Sequence, residues 1–473
     1  MKDTMNTTTH AQAALDELLD LLGPIAVLIG DDVPIRNRND YSGFPSTDPL
    51  AVVRPADPAG VAEAMRICHQ HGVAVVPQGG LTGLCGGART GREEIALSLE
   101  RLVGIEEIDP ASATMTVLAG TPLEAVQQAA AEAGFFCPLD LGARGSCAIG
   151  GNLSTNAGGN RVIRYGMARD MVLGLEVVLP DGTLVTSLNK MIKNNAGFDI
   201  KHLFIGSEGT LGIITRVVLR LFPKPASTMV ALCAADNHAG VLRLLSAARR
   251  DLGPLLSAFE AMWPDYWNFI TAQVHGIRNP FAGDGRDYGA YVLIEASGTD
   301  PEIDGPRFEA WLEKLLEEGV VPNAVVSQSV ADQQAFWNVR DAVGELHQLW
   351  PGHLAFDIGL PVTVMDEYAN RCKEALDARV PGCHSVFYGH IGDGNVHIVI
   401  YQPGAEKQPK DAVEEVVYGL VQEYGGTVSA EHGIGTLKQR WLSHARSPEY
   451  IALMQTLKTA LDPKNVLNPG KVL

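Results

Sequence analysis

The sequence predicts an α+β protein of two principal domains, and three observations predict it. Its 473 residues exceed a single domain when about 150 residues per domain is taken as a loose guide. Strand-like and helix-like segments mix irregularly, with no short internal repeat to account for them. Pro223 and Pro225 end a strand-like run and mark the best boundary, because proline has no N–H to give a sheet ladder.

Each element follows from its local pattern. Residues 11 to 22 carry apolar and acidic positions at helical spacing, and residues 26 to 29 form a short strand. A helix over 58 to 71 leads to a strand at 73 to 76, which opens into the glycine-rich run Pro77 to Ala88. Strands follow at 95 to 99 and 114 to 120, and Thr121 and Pro122 start another helix. The run from 142 to 159 reads as long irregular chain. Residues 171 to 185 form two strands joined near Asp181-Gly182, a pair suited to a hairpin turn. Beyond residue 227 the pattern suits a small antiparallel sheet with helices on one side, and further helices surround strands near 354 to 359, 383 to 389 and 395 to 401. A final helix before LNPG suggests that the tail packs back on a ligand site.

Composition excludes several functions. The 37 Lys+Arg residues stand against 55 Asp+Glu, a net charge of -18 that repels a phosphate backbone, so no nucleic-acid partner is expected. The seven cysteines form no Cys-x-x-Cys unit and include an odd one, which points to reduced structural thiols. No apolar run is long enough for transmembrane anchoring, and MKDTMNTTTH lacks the plan of a secretory signal. A soluble, cytoplasmic protein is the expectation.

Three glycine-rich segments, at 77 to 88, 150 to 159 and 206 to 212, offer backbone donors without bulky side chains, as a pyrophosphate-binding loop does. The dinucleotide Gly-x-Gly-x-x-Gly fingerprint and the P-loop are both absent. Separately, GHIGDGNVH places His390 and His397 around a compact Gly-Asp-Gly-Asn turn. Two imidazoles suit a borderline divalent metal without completing a site; Glu431 in SAEHGIG offers a carboxylate and His432 a neighbouring base. The alternative is that these histidines cap strands and the glycines only turn the chain.

PQGGLTG at 77 to 83, GGNLSTNAGG at 150 to 159, RYG at 164 to 166, DG at 181 to 182 and LFIGSEGTLGIIT at 203 to 215 together resemble the FAD domain of the vanillyl-alcohol-oxidase, or PCMH, superfamily. The C-terminal half resembles its FAD-linked oxidase branch, which contains D-lactate, glycolate and D-2-hydroxyglutarate dehydrogenases. The resemblance implies a PCMH-type FAD-binding domain over 20–222, a mixed α/β substrate, or cap, domain with a metal site over 226–440, and a C-terminal segment over 441–473 that returns to the flavin. It places Pro77, Gly79, Gly80, Thr82 and Gly83 near the flavin diphosphate. Gly151, Asn152, Thr155, Asn156, Gly158 and Gly159 would line the isoalloxazine and phosphate region, Ile213 and Ile214 would enclose the cofactor, and Asn468 would return toward it. No histidine occurs in the first loop, so the FAD is expected to be noncovalent.

The same resemblance implies that His390, His397 and Glu431 hold a divalent metal, zinc or manganese, and that His432 abstracts a proton. Asn395 would orient a ligand or the substrate, and Asp393 would support the turn or face solvent. Arg340, in AFWNVRDAVGEL, would bind a substrate carboxylate through its planar donor fork, with Trp337 as a pocket wall or as core. The resemblance favours D-2-hydroxyglutarate or D-lactate-like substrates; enzymes acting on 2-hydroxyglutarate commonly carry a hydroxyl residue and a lysine here, whereas this chain has Gly344 and the lysine-free LAFD at 354 to 357, which makes a shorter or more apolar substrate credible as well. The expected activity is FAD-dependent oxidation of a D-2-hydroxy acid, with electrons leaving to a separate acceptor such as a quinone or an electron-transfer flavoprotein. A homodimer is the oligomer considered. An oxygen-using flavin oxidase, or a catalytically silent flavin protein, is the alternative.

Overall fold

A computed structural model describes residues 2–283 and 285–473. The chain divides into two compact units. Met1–Gly159, Gly166–Lys224 and Glu431–Leu473 form the first, and Asn160–Tyr165 with Pro225–Ala430 form the second. Residues 431–440, read from sequence with the cap domain, therefore belong to the first unit, and the short excursion at 160–165 belongs to the second.

Two sheets make up most of the first unit. The smaller runs in the order Val27–Leu28, Ala51–Val53, Ile95–Ser98 and Val75–Gln78, antiparallel at the first pair and parallel thereafter. Ala51–Val53 and Ile95–Ser98 are buried at every residue, as parallel strands covered on both faces require. Helix Pro58–His71 makes the crossover. Asp57 caps its start by accepting the Gly60 N–H at 2.7 Å, and Gly72 ends it at φ 69, a conformation glycine adopts without strain. The C-terminal chain then completes the sheet edge, because Val75 bridges Leu467 in parallel and Asn468 donates its N–H to the Val75 carbonyl.

The larger sheet is antiparallel, in the order Ile105–Asp109, Thr114–Leu118, Ile213–Arg220, Val172–Val178 and Leu184–Ser187. The hairpin read around Asp181-Gly182 is present, with Val178 opposite Leu184 and Gly182 at φ 88. Opposite one another in the ladder, Arg216 and Glu176 pair at 3.0 Å, so the buried carboxylate keeps a cation. One local reading changes. The glycine-rich run near 150 holds a short helix, Ile149–Ser154, in place of irregular chain. Glycine is a poor helix former, but a Cβ on Gly150 would lie 2.7 Å from the Ala119 Cβ, so close packing decides here over propensity.

The second unit is built on one seven-stranded antiparallel sheet, larger than the small sheet expected. Its order is Asn323–Val326, Ser227–Ala235, Ala290–Gly298, Leu256–Met262, His384–Gly389, Asn395–Tyr401 and Leu354–Gly359. Helix Pro264–Gln273 buries Tyr266 and Trp267 completely, and the Trp267 ring stacks on Tyr291 with centroids 4.0 Å apart. The Tyr266 hydroxyl reaches the last turn of helix Val330–Asp341 and donates to the Arg340 carbonyl at 2.7 Å. Residues 160–165 are held by two arginines: Arg161 pairs with Glu295, and Arg164 donates to the Ser297 carbonyl at 2.6 Å.

No disulfide joins the seven cysteines, and burial pushes the Cys68, Cys137, Cys233 and Cys372 thiols up to about 12, which makes them packing groups. Among the described residues no helix is long and apolar enough to cross a membrane. Trp267→Ala removes a fully buried ring and the stack on Tyr291, and is expected to destabilise the second unit by about 3–5 kcal/mol. Urea unfolding followed by circular dichroism measures this; an unchanged midpoint would show that the ring is not part of the core.

Candidate functional site

In the first unit, the three glycine-rich segments converge on a cavity of about 390 Å³. Pro77, Gly79, Gly80, Thr82 and Gly83 line it from the first segment; Gly151, Asn152, Thr155 and Gly158 from the second; Ile213 and Ile214 from the third. Glu431 and His432 also line this cavity.

The glycines of this wall serve two different purposes. A Cβ on Gly80 would fall 2.1 Å from the Ser146 carbonyl oxygen, so glycine is required there by the protein itself. Gly83, Gly142 and Gly151 meet no atom within 4 Å and have ordinary backbone angles. Neither conformation nor packing asks for glycine at those three positions; what their missing side chains leave bare is cavity. A wall of bare backbone fits an elongated cofactor approached closely along its length, and FAD is such a group.

Three residues assigned to the flavin stand behind this surface. Asn156, at φ 52, accepts the Arg169 N–H at 3.0 Å and turns the chain. The Gly159 N–H donates to Glu431 Oε1 at 2.8 Å. Asn468 donates through Nδ2 to the carbonyls of Gly87 and Glu208, at 3.1 and 2.8 Å, joining two cavity loops, while its buried Oδ1 has no protein partner.

Glu208, which the sequence reading passed over, fixes the segment that carries Glu431 and His432. Its carboxylate accepts the N–H groups of Ile434 at 2.6 Å and Gly435 at 2.8 Å. Burial pushes this carboxyl up, against the two amide donors that pull it down. A Cβ on Gly433 would lie 2.9 Å from the Glu208 carboxyl, and one on Gly435 would lie 2.1 Å from the Cys85 carbonyl oxygen. Both glycines of HGIG are therefore demanded by the loop that holds them.

The second unit gathers its own cluster on neighbouring strands of the seven-stranded sheet. The turn between the strands His384–Gly389 and Asn395–Tyr401 folds around a single carbonyl: that of His390 accepts the N–H groups of Asp393, Gly394 and Asn395 at 3.1–3.2 Å. Gly394, at φ 94, makes this possible, and Asp393 is exposed at the tip. The turn brings the rings of His390 and His397 to a centroid distance of 5.3 Å at 83°, an arrangement in which two imidazoles can serve one borderline cation. Asn395 donates through Nδ2 to Asp357 at 2.7 Å and to the Ile358 carbonyl at 3.1 Å; its Oδ1 is buried with no protein partner. Asp357, the acid of the LAFD segment, also accepts from the Ser429 hydroxyl and the Ala430 N–H, both at 3.1 Å.

Arg340 is buried and donates from Nε to Glu260 Oε2 at 2.7 Å, with its guanidinium 4.8 Å from the Tyr388 ring centroid. The other oxygen of Glu260 lies 2.6 Å from His390 Nδ1. Burial alone would raise the Glu260 carboxyl, but the His390 and Arg340 donors hold it down at about 2. Trp337 donates from Nε1 to Glu295 at 3.0 Å, which makes it a hydrogen-bonded member of the buried network as well as a packing group. The sequence reading missed Glu260 as well as Glu208. A usable signal was present for Glu260, a lone acid in the strand Leu256–Met262 whose seven residues are all buried.

The backbone-walled cavity of the first unit is that of a cofactor-binding protein, while the second unit holds a buried arginine joined to an imidazole through Glu260. Residues 49–187 match the family model described as FAD binding domain, and residues 224–472 match the one described as FAD linked oxidases, C-terminal domain. The chain belongs to the FAD-linked oxidases, a family of flavin-dependent oxidoreductases. It is 39% identical over 438 residues to the D-2-hydroxyglutarate dehydrogenase of Xanthomonas citri pv. viticola, covering 92% of this chain and 91% of that one. A probable mitochondrial D-2-hydroxyglutarate dehydrogenase of Oryza sativa subsp. indica is 38% identical, covering 96% and 80% of the two chains. A putative mitochondrial D-lactate dehydrogenase of Schizosaccharomyces pombe is 37% identical, covering 89% and 81%. Among solved structures, substrate-bound p-cresol methylhydroxylase superposes with a TM-score of 0.78 over 98% of this chain and 97% of that one. At 18% identity that likeness is one of fold, and it is the PCMH-type fold expected from the motifs.

The two classes of glycine separate experimentally. Gly151→Val is expected to keep the protein folded while lowering FAD occupancy at least about tenfold, because the new side chain enters the cavity. Gly80→Ala is expected to lower the thermal midpoint itself. Flavin absorbance per protein, read beside a melting curve, distinguishes the two; full FAD occupancy in Gly151→Val would exclude this wall as the cofactor surface.

Proposed function

We propose that the protein oxidises a D-2-hydroxy acid to the corresponding 2-oxo acid and passes the electrons to a separate acceptor, a quinone or an electron-transfer flavoprotein. The observation that carries this reading is the 39% identity, along nearly the whole of both chains, with a D-2-hydroxyglutarate dehydrogenase. The residues supply matching chemistry. Arg340 offers a buried guanidinium to the substrate carboxylate, and Asn395 offers a buried amide oxygen as an acceptor. His432 takes the proton of the C2 hydroxyl as the C2 hydrogen departs with its electron pair, leaving the carbonyl of the 2-oxo acid. FAD, when bound, accepts that hydride. A divalent cation, when bound, polarises the C2 hydroxyl. His390, His397 and Glu431 are the residues assigned to hold the cation; what supports this is the donor chemistry of the two neighbouring imidazoles.

Gly344 and the LAFD segment at 354–357 bear on substrate length. With no hydroxyl at Gly344 and no lysine in LAFD, a shorter or more apolar D-2-hydroxy acid stands beside D-2-hydroxyglutarate as a substrate to test.

Anaerobic mixing of the purified flavoprotein with a panel of D- and L-2-hydroxy acids tests the reading. Bleaching of the flavin by D-acids only is expected, and subsequent exposure to oxygen separates a dehydrogenase from an oxidase. No bleaching by any D-2-hydroxy acid would overturn it. His432→Ala is expected to retain FAD and metal yet slow the limiting rate of flavin reduction by about 10²-fold to 10⁴-fold. His397→Ala is expected to lower metal content with FAD unchanged, as read by elemental analysis beside the flavin spectrum; equal metal content in variant and parent would remove His397 from the ligand set.

A further inference from the structure

Glu260 has no role in the chemistry described so far, yet it touches two of the groups that carry it. It is fully buried in the middle of a sheet, and each of its oxygens serves one partner: Oε1 lies 2.6 Å from His390 Nδ1 and Oε2 accepts from Arg340 Nε at 2.7 Å. If neutralising Arg340 were its whole purpose, a fork-to-fork contact using both oxygens on the guanidinium would serve better. The structure divides the carboxylate instead.

We propose that Glu260 is a positioning residue that sets the tautomer of His390 for metal binding and, through the same carboxylate, ties the reach of Arg340 to it. The argument rests on the reading of His390 as a metal ligand. An ionised carboxylate can only accept, so a contact of 2.6 Å requires the His390 proton on Nδ1. A neutral imidazole has one N–H, so the ligating lone pair is then on Nε2, the nitrogen on the far side of the ring from Glu260. A ring that donates to a carboxylate is also more basic and more tightly oriented as a ligand. The arginine shares the anchor, so its guanidinium is held at a fixed distance from the same ring. Burial reinforces the arrangement, since no water competes for either oxygen of a residue with 0% exposure.

The near-isosteric variant Glu260→Gln tests this because an amide cannot satisfy both partners. Arg340 Nε–H needs an acceptor, which turns the amide oxygen toward it and the NH₂ toward His390. Nδ1 must then accept, and the proton moves to Nε2, where the ligating lone pair had been. The flavoprotein, stripped of metal with chelator and retitrated with zinc or manganese, is expected to bind about 10-fold to 100-fold more weakly in the variant at unchanged FAD occupancy. In ¹⁵N-histidine-labelled protein, the His390 nitrogens are expected to report an Nδ1–H tautomer in the parent and Nε2–H in the variant.

The outcomes separate cleanly. A parent that binds neither metal refutes the ligand reading and this proposal with it. A parent that binds metal beside a Glu260→Gln variant of equal affinity and unchanged tautomer refutes the proposal alone. If the variant fails to fold, the parent spectrum still decides: an Nε2–H tautomer at His390 in the metal-stripped parent overturns the assignment, and an Nδ1–H tautomer upholds it.

Discussion

The first unit depends on the carboxylate of Glu208. Its two oxygens receive consecutive backbone N–H groups, those of Ile434 and Gly435, while its own carbonyl receives the Asn468 side chain. Three stretches far apart in sequence, around residues 208, 434 and 468, thus meet at one residue. Settling elsewhere would forfeit both of these hydrogen bonds to a buried carboxylate, so the return segment has little freedom. Glu208 itself adopts φ 53, a conformation unfavourable for a residue with a side chain, which the surrounding hydrogen bonds hold in place. The orientation of Glu431 and His432 along the cavity wall follows from this clamp and from the Gly159 N–H that anchors Glu431.

The second unit meets a different constraint. Its sheet buries acids in strands that are mostly apolar, and each has specific partners: Glu260 has Arg340 and His390, Glu295 has Arg161, Trp337 and Ser257, and Asp357 has Asn395, Ser429 and the Ala430 amide. A buried charge without such partners would be strongly destabilising, so the partners are as necessary to the fold as the apolar strands. Arg161 illustrates the point: the six-residue excursion at 160–165 is anchored in this unit through the carboxylate of Glu295.

Much of this was legible in the sequence, for identifiable reasons. Pro58–His71 announces itself with an aspartate cap, a proline at its first position and a terminal glycine, and Asp181-Gly182 announces the hairpin. All three glycine segments were found, because a wall built of backbone leaves a compositional trace. Strand Ile105–Asp109 was not found: its sequence IEEID is half-exposed and charged, and its strand character comes from pairing with Thr114–Leu118. The seven-stranded sheet was underestimated because its pairings are long-range, with Asn323–Val326 lying beside Ser227–Ala235. In the site, histidines and arginines stood out as chemical types, whereas Glu208 and Glu260 act by receiving hydrogen bonds from residues distant in sequence. Asp357 lay inside a segment inspected for a missing lysine, and its own carboxylate was overlooked.

The threading of the first unit through three separate stretches has a consequence for how the protein is made. As the chain leaves the ribosome, all of the second unit emerges before Glu431–Leu473, the last part of the first. The sheet edge at Val75–Gln78 therefore waits, with its Leu467 partner still to be synthesised, while the inserted unit already has its full complement of strands. An unpaired edge strand is a template for association with other chains. Until residues 431–473 are made, the unit that carries the cofactor cavity therefore presents an open strand edge.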